Sequence, residues 1–266
     1  MKWIGNKTTL LPELHKRLPN CFGSFFEPFI GSGAFILSET PEKGGINDTN
    51  KALINLYIQL RKDANKVINA LNQLESVPCT QDTYYDYRNL YNDKLYHNDV
   101  HDVMAAALLL YLNHHCFNGL YRVNKKGNFN AAWNHVTKQV TYDAENLKKI
   151  GSYLKNNNIL IAADDFETFC RRNVKSGDFV YFDSPYYPLS STANFTRYTA
   201  GCFTLTEHKR LKTLVDDLTA SNVYCMLSNN DTEYIRDLYE NYSIDSVNVP
   251  RRICRKNIKE IIITNY

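Results

Sequence analysis

Apolar positions fall into two different rhythms along the chain. Short apolar runs, "SFFEPFI" (24–30) and "GGIND" (44–48), each lead into a turn. Further on, "NILIAADD" (158–165), "DFVYFD" (178–183), "VYCMLSNN" (223–230) and "IKEIIITN" (258–265) read as strands, with helical stretches between several of them. One helix is specified in detail. Thr204 and Glu207 have the spacing of a capping box, and Leu211, Leu214, Val215 and Leu218 follow at i, i+3, i+4, i+7. Alternation of this kind predicts an α/β protein with an open, mostly parallel sheet, which binds ligands at the carboxyl ends of its strands. The middle of the chain, from about Lys51 to Val140, breaks that rhythm. "ALINLYIQL" (52–60) and "VMAAALLLYLN" (103–113) read as helices, and Lys-Lys-Gly inside "YRVNKKGNFN" (121–130) predicts a hairpin. An inserted module of helices and a hairpin is the expectation.

Composition adds compartment and partner. A chain of 266 residues with 44% hydrophobic content can bury a substantial core. Its seven cysteines, at 21, 79, 116, 170, 202, 225 and 254, include no C-x-x-C pair, which excludes a disulfide framework or zinc knuckle from the expectations and implies free thiols. No metal site is expected. The opening residues lack the apolar core of a signal peptide, and no segment approaches eighteen consecutive apolar residues. A soluble, intracellular, cytoplasmic protein with no membrane partner is expected. Net charge is only +3, but from Val103 to Tyr142 there is no Asp or Glu, while Arg122, Lys125, Lys126 and Lys138 are present. Phe117, Tyr121, Phe129, Trp133 and Tyr142 are interleaved with them. Two readings fit this window: a nucleic-acid surface, or a solvated basic loop whose aromatics pack.

Three places at predicted strand ends carry candidate chemistry. In "FEPFIGSGAF" (26–35), Gly31 and Gly33 permit a tight turn with close backbone approach to a ligand. A dinucleotide fingerprint needs a third glycine, and residue 36 is isoleucine. Asp48, at the end of the next strand, is placed to take the two hydroxyls of a ribose. Together they fit an adenosine-containing ligand without a pyrophosphate, such as S-adenosylmethionine. The third place is Asp183-Ser184-Pro185-Tyr186. It reads either as an ordinary turn or as a grip on an exocyclic amine, with one carboxylate and one carbonyl accepting both N–H groups and Tyr186 lying against an extruded base.

The motifs "KWIGNK" (2–7), "FEPFIGSGAF", "IND" (46–48), "CFNGLYRVNKKGNFN" (116–130), "FDSPYYP" (182–188) and "IIITNY" (261–266) occur in the order of the Dam-type family of DNA N6-adenine methyltransferases, and the chain resembles that family over its whole length. The resemblance implies a Rossmann-like methyltransferase sheet with an inserted helical and β-hairpin target-recognition domain. Expected bounds are 1–55 and 141–266 for the catalytic domain and 56–140 for the recognition domain. It implies S-adenosyl-L-methionine as methyl donor, double-stranded DNA as substrate, most often at GATC, and no obligate protein partner. By the same resemblance, Trp3, Lys7, Asp48, Asp165 and Asp183 hold the cofactor, with the Phe29–Gly33 loop around its methionine part. Asp164 is an equally available candidate for the role of Asp165. Asp183, Ser184, Pro185 and Tyr186 match the catalytic tetrad. Lys2 and Arg122 match guanine contacts, Leu120 a thymine-methyl contact and Phe117 a duplex wedge. Asn118, Asn124, Lys125 and Lys126 complete the expected DNA surface.

The chain departs from the family's pattern at Ser184, where proline is usual, and at Ala131, Ala132, Trp133 and Asn134. The segment 247–260, with Arg251 and Arg252, is also shorter than usual. Other readings of the same residues are an exocyclic-amine methyltransferase acting on cytosine N4 or on RNA and, from Ser184, a catalytically degraded DNA-binding relative. The missing third glycine disfavours a nicotinamide dehydrogenase.

Overall fold

A computed structural model describes residues 6–137, 142–188, 203–250 and 257–266. In chain order the helices and strands are α1 (Leu11–His15), β1 (Phe25–Glu27), α2 (Ile36–Glu39), β2 (Lys43–Asn47), α3 (Lys51–Glu75), α4 (Gln81–Tyr96), α5 (Val103–His115), α6 (Ala144–Asn156), β3 (Asn158–Ala162), α7 (Phe166–Asn173), β4 (Phe179–Phe182), α8 (Leu205–Ala220), β5 (Tyr224–Asn230), α9 (Glu233–Leu238), β6 (Ser243–Pro250) and β7 (Asn257–Thr264). The chain divides into two compact units. Among the described residues, Asn6 and Asp48–Ala163 make the first, and Lys7–Asn47 with the chain from Asp164 onward make the second.

The first unit is helical, as the middle of the sequence predicts. Asn50 caps α3 by accepting the N–H of Leu53 at 3.1 Å. That helix is broken at Asp63 (φ −166°, ψ 95°), whose carboxylate takes the N–H groups of Asn65 at 3.0 Å and Lys66 at 3.4 Å and so caps the second half. α5 is apolar all round and almost wholly buried against α3 and α4, which explains a run as hydrophobic as "AAALLLYL". Asn55 and Gln59 on α3 donate to the carbonyls of Asp102 and His101 at 2.9 and 2.8 Å, satisfying the backbone where α5 begins. α6 approaches α3 closely at Gly151, where a Cβ would lie 2.5 Å from the Leu60 carbonyl oxygen. The expected hairpin is present: Val123 bridges Phe129, and Asn124 and Asn130 donate to the carbonyls of Asn128 and Arg122 at 2.8 and 2.9 Å.

Among the described residues of the second unit, six strands are hydrogen-bonded in the order β2-β1-β4-β5-β7-β6. β2, β1, β4 and β5 pair in parallel, and β7 runs antiparallel between β5 and β6. The fold is therefore α/β with a mostly parallel sheet, consistent with a Rossmann-like methyltransferase. Phe25 packs its ring against Phe35 and Phe179 at 5.2 and 4.9 Å, and Phe35 meets Tyr181 at 5.0 Å, so aromatics fill the core beside β1 and β4. β1 is shorter than the apolar run "SFFEPFI" because Pro28 has no N–H to give the ladder.

Two expectations need correction. Thr204 does cap α8, accepting from Glu207 N–H at 3.4 Å, but the Glu207 carboxylate bonds Arg210 at 2.8 Å, so the structure records only the Thr204 half of the expected capping box. Leu211, Leu214, Val215 and Leu218 are buried as expected. β6 was not among the expected strands. Its "SIDSVNVP" is an edge strand on one neighbour, with too few apolar residues to stand out from a loop.

Candidate functional site

The second unit collects its unusual polar residues where β1, β4 and β5 end. Glu27 is the last residue of β1, Asp183 follows β4 directly, Ser228, Asn229 and Asn230 finish β5, and Glu260 lies opposite Asn230 on β7. Lys7, in the 3-10 turn Lys7–Thr9, is buried at 7% exposure and brings its ammonium to 2.6 Å from Asp183 Oδ1. The Ser228 hydroxyl donates to the same carboxylate oxygen at 3.4 Å, and Tyr181 OH and Ser228 Oγ are 2.8 Å apart. Tyr186 donates its hydroxyl to Glu260 Oε2 at 2.9 Å, and the Lys7 ammonium sits 4.6 Å from the centre of the Tyr186 ring. Ser184 is buried, while Asp183, Pro185 and Tyr186 are half-buried.

Burial sets the electrostatics. It raises the Asp183 carboxyl above the usual carboxylate range, helped by the Glu260 charge and opposed by Lys7 and Ser228. Glu27 is pushed up further, again by burial, although it accepts the N–H of Ile36 at 2.8 Å and feels Lys7. Burial also drives the Tyr186 and Tyr181 hydroxyls far above their ordinary range, which keeps both as proton-bearing donors. The Asp183-Ser184 pair thus joins one carboxylate, held by an ammonium, to one backbone carbonyl, with an aromatic ring two residues on. Such a set accepts two N–H groups and stacks a planar ring.

Beside it, Gly31 (φ 47°) and Gly33 (φ 66°) adopt the left-handed conformation that side chains disfavour, so the loop after β1 presents bare backbone. Asn47, fully buried, fixes that loop by donating to the carbonyls of Pro28 and Asp164 at 3.0 and 2.9 Å and accepting the Asp164 N–H at 2.8 Å. Phe29 packs on Phe166 at 5.2 Å, and the Arg210 guanidinium covers Phe166 at 4.3 Å. Of the two adjacent acids, Asp165 caps α7 through Glu167 and Thr168 N–H at 3.1 and 3.3 Å and pairs with Arg210. Asp164 lies 3.5 Å from Arg172.

Lys7, Phe29, Gly31, Gly33, Asp165 and the Asp183–Tyr186 tetrad therefore all fall in the second unit. The first unit holds Asp48, which accepts the Asn50 N–H at 2.9 Å ahead of α3, and the expected DNA-facing residues. Phe117 heads a 3-10 turn and is 55% exposed, Asn118 (φ 56°) is exposed, and Leu120 is half-buried. Arg122 is exposed and held across the hairpin, its Nε and Nη2 donating to Asn130 Oδ1 and O at 2.8 and 3.1 Å. Asn124 spends its side-chain oxygen on the turn, accepting from Lys126 and Asn128 N–H at 2.9 and 3.1 Å, and leaves Lys125 and Lys126 exposed at the tip. Ala131 and Trp133, two of the departures from the family pattern, are buried. Lys2, Trp3, Lys138, Arg251 and Arg252 lie outside the described residues.

Sequence reasoning missed Glu27, Ser228, Asn229, Asn230 and Glu260. The signal available for two of them was a single acid inside an apolar run, "FFEPF" and "IKEIII", where an unpaired carboxylate is costly. Among the described residues no group of His, Cys, Asp and Glu could hold a metal ion, and no helix is long and apolar enough to cross a membrane.

The family model for D12 class N6 adenine-specific DNA methyltransferases matches residues 3–253. The chain is 37% identical to the type II methyltransferase M1.LlaDCHI of Lactococcus lactis subsp. cremoris, over 100% of this chain and 94% of that one. It is 34% identical to the type II methyltransferase M.MjaIII of Methanocaldococcus jannaschii, covering 100% and 98% of the two chains. Against the DNA adenine methylase of Escherichia coli K12 identity is 31%, with 98% and 93% covered.

Proposed function

Because the chain belongs to the D12 class N6 adenine-specific DNA methyltransferases, we propose that it moves a methyl group from S-adenosylmethionine to N6 of an adenine turned out of duplex DNA, within GATC. The observation that carries this reading is the half-buried Asp183 carboxylate, paired with the buried Lys7 at 2.6 Å and followed by a carbonyl and an aromatic ring. An adenine amine is a poor nucleophile because its lone pair is delocalised into the ring. Accepting both its N–H bonds, one at the Asp183 carboxylate and one at the Ser184 carbonyl, returns electron density to nitrogen as the new bond forms. Lys7 opposes the protonation that desolvation favours at Asp183, and Tyr186, anchored by Glu260, offers a face for the extruded base. Serine in place of proline at 184 keeps the carbonyl, and Pro185 still biases residue 184 to extended backbone.

The residues present fit the cofactor. In the second unit, bare backbone at Gly31 and Gly33 and the Phe29–Phe166 pair suit a thioether-linked amino acid and a purine, with Asp165 as partner for an amine; Asp48, in the first unit, is a carboxylate of the kind that takes ribose hydroxyls. When bound, S-adenosylmethionine supplies an electrophilic methyl group. In the first unit the exposed Arg122, Lys125 and Lys126 give base and phosphate contacts, with Phe117 as the wedge.

The test is to incubate the protein with labelled S-adenosylmethionine and duplexes with and without GATC, and to identify the modified base by mass spectrometry. N6-methyladenine confined to GATC is expected, and Asp183→Ala is expected to abolish transfer while leaving duplex binding largely intact. Methyl on cytosine N4, methylation away from GATC, or a folded Asp183→Ala protein that keeps substantial turnover refutes the corresponding element of the reading.

A further inference from the structure

The loop that begins at Asp183 is held from below by three consecutive residues. Ser228 donates to Asp183, Asn229 Oδ1 accepts the Tyr187 N–H at 2.9 Å, and Asn230 Nδ2 donates to the Tyr187 carbonyl at 2.6 Å. Backbone partners fix both amide orientations, since an N–H can only be met by an oxygen and a carbonyl only by the NH2. Asn229 Oδ1 also takes the N–H of Asn230 at 2.9 Å. Asn230 pays an unusual cost: it is 7% exposed, yet its own Oδ1 is buried without a hydrogen-bond partner. A side chain serving only to pack has no use for that orphan oxygen, whereas one serving as a donor must carry it. The Tyr187 ring is braced as well, stacked on Tyr234 at 4.7 Å and edge-on to His208 at 5.8 Å.

We propose that Asn229 and Asn230 are positioning residues that clamp the main chain of Tyr187 and thereby set where the Ser184 carbonyl and the Tyr186 ring stand. This rests on the reading of Asp183–Tyr186 as the transfer site. Tyr187 is the first residue beyond that tetrad. Asp183 is fixed at the other end by Lys7 and Ser228, and Tyr186 in the middle by Glu260, the residue opposite Asn230 in the β5–β7 register. Each end of a short loop then has its own anchor. Releasing one lets the carbonyl and ring drift without removing any group that touches cofactor or DNA, and a misplacement of about 1 Å costs on the order of a hundredfold in rate.

The experiment measures single-turnover transfer alongside dissociation constants for S-adenosylmethionine and a GATC duplex, with thermal midpoints as the check on folding. Asn230→Asp replaces the donor with an acceptor facing the Tyr187 carbonyl, and Asn229→Leu removes the acceptor at similar volume. Each is expected to slow transfer about tenfold to a hundredfold, with both dissociation constants within about threefold of wild type. Asn229→Asp keeps an oxygen for both N–H groups and is expected to recover most of the loss seen in Asn229→Leu. Transfer within about threefold of wild type in folded variants, a loss lying wholly in the dissociation constants, or no recovery in Asn229→Asp overturns the proposal. Should Asn230→Asp not fold, the two Asn229 variants decide. Asp183→Ala, run in parallel, separates the two ideas. If it keeps its turnover, the transfer site is misassigned; if it is inactive while the clamp variants are normal, only the clamp is wrong.

Discussion

His208 makes the stability of the second unit sensitive to mild acid. It lies on α8, 2% exposed, among Phe203, Tyr187 and Tyr234 at 4.8, 5.8 and 6.5 Å, and its Nε2 is buried without a hydrogen-bond partner. Burial pushes its pKa down from 6.5 to about 4. Between those two values the unfolded chain carries a proton that the folded chain excludes, so stability falls as pH drops through that window and is fully present above it. A pKa moved from 6.5 to about 4 corresponds to about 3 kcal/mol in total, of which about 1 kcal/mol is lost between neutrality and about pH 5.5. Glu27 and Asp183 push the other way, because a raised carboxyl holds its proton longer in the folded state. The comparison must therefore be made against His208→Phe, which preserves the aromatic packing and removes the titration. Urea unfolding of both proteins at neutral pH and about pH 5.5 is the assay. Wild type is expected to lose about 1 kcal/mol more than the variant over that interval. Equal losses would refute the reasoning.

Replacing Lys7 with Gln removes the charge that opposes protonation of Asp183, so the acid limb of the transfer rate is expected to move to higher pH; a pH–rate profile with an unmoved limb counts against the pairing. Arg122→Ala is expected to relax discrimination at one guanine by about 1–3 kcal/mol, whereas Lys125→Ala weakens binding to every duplex alike and flattens its salt dependence, as competition binding at several salt concentrations would read. At Gly151 an added Cβ would lie 2.5 Å from the Leu60 carbonyl, so Gly151→Ala is expected to destabilise the protein by about 1–3 kcal/mol in denaturant unfolding, and an unchanged midpoint would show that α6 can move away from α3.

Much of the fold was legible because the relevant signals are local. Apolar runs bounded by turns located β4, β5 and β7 to within a residue or two, and Lys-Lys-Gly located the hairpin. Edge strand β6 was not legible, since one covered side demands few apolar residues. In the site, Asp183 and the two glycines stood out through the turn chemistry of their own neighbours. Glu260 did not, because its partner Tyr186 is 74 residues earlier in the chain and nothing local to "IKEIII" marks the pairing. Glu207 shows the opposite failure, a correct local motif overridden when Arg210, one turn away, offered its carboxylate a charged partner.

The place of β7 in the sheet has a consequence for how the protein is made. Among the described residues it follows both of its neighbours in chain order, yet it lies between β5 and β6. A nascent chain on the ribosome therefore completes β5 with one edge unpaired, and β6 emerges with no strand to join. β5 can pair with β4 alone and β6 with nothing until Asn257–Thr264 has been synthesised, and the Glu260 that secures Tyr186 arrives only with that segment. Translation order thus withholds the finished site until Asn257–Thr264 has been made, and during that interval the open edge of β5 is the surface that a chaperone, or another unfinished chain, would meet.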